Sequence, residues 1–303
     1  GAITTTGTQA HGAIALADFG LSQTATVNVR GGSISTSGEN SVGAFADISN
    51  VTDSTATVNV TGGTITTTGD DAFGALARAD GDDVDATINI GSGSIRTYGD
   101  GSTAVSAVGT GSGSEANVTI SGGTIETTGY DSKAIYASAN GIGGRATVSI
   151  SGGTLTTSGD EADVISVFVY DDDSAATVTI NGGVITGDSA RAAIVRAEGR
   201  NSTATIQITD GTISANNTVS GIFAEAADQG GAATITISGG SISTATVAYA
   251  VFAQAQEGST ATVNMSGGTQ TSADAKALTA RSYGDGSATV NISGSASIST
   301  TGL

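Results

Sequence analysis

The chain has 303 residues, of which 46 are Gly and none is Pro, Cys or Trp, and 10 Lys+Arg against 28 Asp+Glu give a formal charge of −18. That charge disfavours nucleic acids and anionic membranes as partners. The absence of Cys excludes disulfides, thiolate metal sites and thiol nucleophiles, and the single His11 leaves little for general base catalysis. No segment approaches the ~18 consecutive apolar residues of a membrane helix, so direct membrane insertion is not expected of this segment.

Read from the N-terminus, the chain repeats. An apolar residue following a Gly-rich turn recurs as Ile3, Ile34, Ile65, Ile95, Ile125, Leu155, Ile185, Ile213 and Ile242, then Gln270 and Ile298, at spacings of 28 to 31 residues. Each repeat opens with an alternating β-branched run such as Ala25-Thr26-Val27-Asn28-Val29, which predicts a strand. A Gly-Gly corner follows (Gly31-Gly32, Gly62-Gly63, Gly122-Gly123), where positive φ is tolerated. The second strand reads Ser33-Ile34-Ser35-Thr36 or Thr64-Ile65-Thr66-Thr67. After a polar turn comes a third, Ala-rich run, as in Val42 to Ile48 and Val164 to Tyr170, whose alternation favours strand over helix.

Three strands and three corners per repeat predict an all-β chain, a right-handed parallel β-helix of about ten rungs with three strands per rung. One solenoid is expected over residues 1–303, with no separate second domain. Because both ends fall in the same phase of the repeat without a capping unit, the chain reads as a segment of a longer solenoid or as one that stacks end to end.

The pattern Ala-Thr-Val-Asn-Val-x-Gly-Gly-Thr-Ile-Thr-Thr-Thr-Gly, complete at Ala56 to Gly69 and nearly so at Ala146 to Gly159, resembles the passenger region of Gram-negative autotransporters with pertactin-like β-helices. The resemblance runs through all the repeats. It implies a surface-exposed or secreted protein at the bacterial outer membrane, commonly an adhesin, with a signal peptide before this segment and a translocating barrel after it.

Function on such a rod resides in outward columns. On the first strands these are Thr/Asn pairs: Thr57/Asn59, Thr87/Asn89, Thr147/Ser149, Thr177/Thr179, Thr234/Thr236 and Thr262/Asn264. They predict a flat polar face, which also resembles the surfaces of ice-binding proteins, although Thr is an ordinary exposed strand residue as well. On the third strands the outward column reads Leu16, Phe45, Leu76, Ser106, Tyr136, Phe168, Ile194, Phe223, Phe252 and Thr279. A continuous exposed apolar stripe would exceed what a soluble monomer shows, so either this face docks on something or its sidedness is reversed. A neighbouring column includes Asp47, Arg78, Tyr170, Arg196 and Glu225, with Asp47/Arg78 and Arg196/Glu225 placed to pair across rungs.

Acidic residues crowd two turns: Asp70, Asp71, Asp100 and Asp131 in one, and Asp80, Asp82, Asp83, Asp171, Asp172 and Asp173 in the other. They serve solubility or, alternatively, hold Ca2+, although the nonapeptide of calcium-binding solenoids is absent. No catalytic constellation and no other cofactor is expected. The reading is a non-enzymatic rod for adhesion to a host or neighbouring-cell surface molecule or for self-association, with an ice-binding solenoid or a self-assembling extracellular filament as alternatives.

Overall fold

The computed structural model describes residues 1–216, 220–245, 248–273 and 276–301, and no helix occurs among them. Every strand pair is parallel and joins one rung to the next, as in Val27↔Val58↔Ile88↔Val118. The Ile3-to-Ile298 series is likewise one continuous column, Gln270 included. The chain is therefore a β-solenoid. At roughly 4.8 Å between neighbouring strands, ten rungs make a rod on the order of 50 Å long.

The strands divide into a 10-stranded sheet of third strands and a 16-stranded sheet that contains both the first and the second. In five rungs the first and second strands are continuous, as in Thr24–Thr36, Thr55–Thr67 and Ala175–Gly187. The ladder survives the Gly-Gly corner with a local register shift beside residues 29 to 33. Gly63 shows why the corner requires glycine: its φ is +83°, and a Cβ there would lie 2.7 Å from the carbonyl oxygen of Gly32 one rung below. Both left-handed backbone and close rung stacking exclude a side chain.

Inside, alternate residues of each strand stack on their counterparts. Val58, Ile88, Val148 and Val178 are fully buried, as are Ile65, Ile95, Ile125 and Leu155, and the third strands contribute small Ala46, Ala77, Ala107 and Ala137. The Ala column lets the two sheets approach closely around a narrow core. A further inward column, Thr36, Thr67, Thr97, Thr127 and Thr157, is wholly buried with unpartnered hydroxyls, and Gln270 interrupts the Ile column with an unpartnered buried amide. Such groups cost stability where they lie.

The corners are held by side chains that reach between rungs. Ser102 Oγ accepts from the Ala72 N–H at 3.1 Å and donates to the Gly69 carbonyl at 3.1 Å. Ser132 repeats the donation to Gly99, and Ser202 accepts from the Ser174 N–H at the opposite corner. Buried corner serines thus satisfy backbone groups that the strand ladders do not reach.

Candidate functional site

The outward Thr/Asn pairs of the first strands stand in register from rung to rung. One column runs Thr26, Thr57, Thr87, Asn117, Thr147, Thr177, Thr205, Thr234, Thr262 and Thr289, and the second runs from Asn28, Asn59 and Asn89 through Thr179 and Thr236 to Asn264 and Asn291. These residues point outward beside buried Val and Ile, and each is half-buried or exposed. Side-chain amides link the rungs: Asn59 donates to Asn28 at 3.0 Å, Asn89 to Asn59 at 2.9 Å, and Asn291 to Asn264 at 2.8 Å. Two positions on each of ten strands make up the face, and none of them is ionisable. Charge begins only at its margin, where Asp85, Glu115 and Arg145 stack in successive rungs. Burial and the nearby Glu115 carboxylate raise the pKa of Asp85.

The third-strand face differs from expectation in register and in exposure. Its outward column is Ile14, Phe45, Leu76, Ser106, Tyr136, Ser166, Ile194, Phe223, Phe252 and Thr279. Phe168 does not belong to it. It pairs with Ser138 and Arg196 in the adjacent column, and Leu16 likewise aligns with Asp47. Tyr170 lies beyond the paired residues of its strand, so it is not the rung neighbour of Arg196. Spacing along the strand is the cause: a two-residue slip preserves the face, so alternation does not reveal it. Burial decides the sidedness: Ala44, Ala46 and Ile48 face the core, while Phe45 and Leu76 form a separate cluster with Val42 and Phe73.

That outward column is not an open apolar stripe. Only Ile14 in the first rung is an exposed apolar residue; Phe45, Leu76, Ile194 and Phe252 are buried, and Tyr136 and Phe223, like Phe168 in the adjacent column, are half-buried. Long side chains of adjacent columns cover Phe45 and Phe252. Arg78 lies 5.3 Å above the Phe45 ring and Arg281 5.5 Å above that of Phe252, while Tyr249 stacks on Phe252 at 4.4 Å. Tyr136, Phe168 and Tyr170 form a run of rings 5.9 and 6.2 Å apart. Burial and the nearby Tyr136 push the Tyr170 phenol up to about 12.

The predicted cross-rung ion pairs are present. Arg78 grips Asp47 with two bonds of 2.8 Å, and Arg196 meets Glu225 at 3.1 Å. Their carboxylates are more buried than an exposed pair allows, with Asp47 and Glu225 side chains 10% and 8% accessible. A third pair, Arg191 with Asp163, was not foreseen because it spans a rung shorter than its neighbours.

The acidic turns have a structural use. Asp71, Asp83, Asp131 and Asp173 occupy left-handed backbone positions with φ of 51°, 52°, 48° and 58°, which Asp tolerates better than most residues. Neighbouring carboxylates accept backbone N–H groups across rungs: Asp70 from Asp100 at 2.9 Å, Asp100 from Tyr130 at 2.8 Å, and Asp172 from Arg200 at 2.8 Å. Among the described residues, no group of three or more His, Cys, Asp or Glu is placed to hold a metal ion. His11 accepts from the Val42 N–H through Nδ1 at 3.1 Å and sets its ring edge-on to Phe45. Burial, followed by the Arg78 charge, lowers its pKa against the opposing effect of Asp47.

The chain was compared with protein-family models, curated proteins and solved structures, and none matches it.

Proposed function

We propose that the chain is a non-enzymatic rod that works at a cell surface or in the extracellular space, as an adhesion or self-association element of the autotransporter-passenger type. Its contact surface is the Thr/Asn face. The observation that carries this reading is the exclusion of charge from both outward columns over ten rungs, in a molecule of charge −18. Two such rods repel each other along any acidic corner. They can approach most readily through a face without charge, and here that face repeats in register from rung to rung.

Thr147→Glu together with Thr205→Glu tests the assignment, because the two positions lie in non-adjacent rungs and the new charges do not stack on each other. Light scattering across a concentration series should show association by the native chain and at least a tenfold weaker association by the variant. An unchanged variant with an unchanged fold would reject the face as the contact surface.

One observation favours a second reading. Thr fills nine of the ten positions of the first column, a regular array of methyl and hydroxyl groups suited to ordering water at an ice surface. Thermal hysteresis in the native chain, abolished by Thr147→Tyr with Thr177→Tyr, is the expected sign of it, and a native chain without hysteresis rejects it.

A further inference from the structure

Large side chains fill most outward positions of the third-strand face, but in the strand Thr103–Thr110 these positions hold Thr103, Ser106 and Val108. In register with them stand Phe73, Leu76 and Arg78 one rung below, and Lys133 and Tyr136 one rung above. The small residues are the floor of an open trench of about 330 Å³, and the large ones are its walls. With strands roughly 4.8 Å apart, the wall backbones stand about 10 Å from each other, wide enough for one ring held between their side chains. The volume falls at the lower end of small-ligand sites.

The lining has a definite chemistry. Ser106 is 1% accessible and its Oγ has no hydrogen-bond partner, so a bound group could supply the bond that the protein does not. Leu76 and Phe73 offer an apolar wall and Tyr136 an aromatic one. The lining also contains two cations, Arg78 and Lys133, whose carboxylate partners lie outside it. Asp47 fixes the Arg78 guanidinium through Nε and Nη2, and Lys133 is anchored on Asp131 at 3.0 Å.

From this arrangement we infer that the trench binds a pyranose ring carrying an acidic substituent. The C–H faces of the ring would lie against Leu76 and Tyr136, a ring hydroxyl would accept from or donate to Ser106, and the carboxylate or sulfate would meet Arg78 and Lys133. The buried, unpaired Ser106 hydroxyl on the floor favours a polyhydroxylated ring over a phenylalanine side chain of a peptide, which would leave it unpaired. None of the Thr/Asn positions takes part, so this inference and the lateral-association reading stand or fall separately.

Calorimetric titration with a hexuronate tetrasaccharide tests the inference. Saturable binding by the native chain is expected, with a neutral hexose tetrasaccharide at least tenfold weaker. Ser106→Leu should fill the trench and weaken uronate binding at least tenfold; Leu already occupies this column at position 76, and circular dichroism verifies that the fold is kept. Should that variant not fold, Ser106→Ala provides the readout, with an expected three- to tenfold loss. Thr147→Glu with Thr205→Glu should leave sugar binding unchanged. The inference is overturned if the native chain shows no saturable uronate binding, if a folded Ser106 variant binds as tightly as the native chain, or if an acidic tyrosine-containing hexapeptide binds more tightly than the tetrasaccharide.

Discussion

Replacing Arg191 by Met should destabilise the rod by about 3 kcal/mol, the scale of stranding a buried charge. Arg191 donates to both oxygens of Asp163, Nε to Oδ1 at 2.7 Å and Nη2 to Oδ2 at 2.9 Å, from the next rung. The Asp163 side chain is only 6% accessible. Burial works against the Arg191 charge, but the bond and charge of Asp163 outweigh it and raise the guanidinium pKa. Without the cation, Asp163 keeps, among the described residues, the Ser166 hydroxyl at 3.3 Å. Adding Asp163→Asn to Arg191→Met should recover part of the loss. Arg96→Met breaks the exposed Arg96–Glu126 pair, 43% and 36% accessible, and should cost less than about 1 kcal/mol. Urea unfolding followed by circular dichroism measures all three. Equal losses for Arg191→Met and Arg96→Met would show that the buried pair has no special weight.

Gly99→Ala should cost about 3 kcal/mol, the upper range for forcing atoms into a packed site. Here the obstacle is space and not dihedral angle. A Cβ at Gly99 would lie 2.0 Å from the Gly69 carbonyl oxygen, and Gly69 and Gly129 stand in the same relation to the rungs below them. Backbone cannot swing aside as a side chain can, so the two rungs must part locally. Gly91 is the control: its nearest neighbour would be Ser121 Oγ at 3.8 Å, and Gly91→Ala should be neutral or slightly stabilising. In a solenoid each rung contacts only its neighbours, so the damage should appear as a separate early unfolding step rather than a uniform shift. A single transition with unchanged midpoint for Gly99→Ala would contradict the tight stacking.

The rung architecture was legible because one repeated spacing aligns every marker residue. Ile34, Ile65 and Ile95 fall on one column, and the alternation around Val27 and Val58 separates inside from outside. The polar face followed from the same alternation. The third-strand face was harder to read for two physical reasons. A column that joins Phe168 to Tyr136 and Ile194 is two residues out of register, because that rung's position belongs to Ser166, and a two-residue slip changes no face. Outward position also does not mean exposure: whether Phe45 is open depends on where Arg78 folds, and that is set by Asp47 one rung away. The trench at Ser106 is defined by side chains that are too small, and only the register with Leu76 and Tyr136 turns that absence into a shape.

The central proposal is that rods of charge −18 meet through their uncharged face. Sedimentation equilibrium of the native chain over a concentration series at several salt concentrations tests it directly. Salt screens the repulsion between acidic corners within about a Debye length, ~10 Å at 0.1 M, and leaves uncharged contacts in place. Reversible association that strengthens as salt is added is the expected result. A chain that stays monomeric at every salt concentration, or an association that weakens with salt, would contradict it, the second by showing that opposite charges and not the Thr/Asn face hold the rods together.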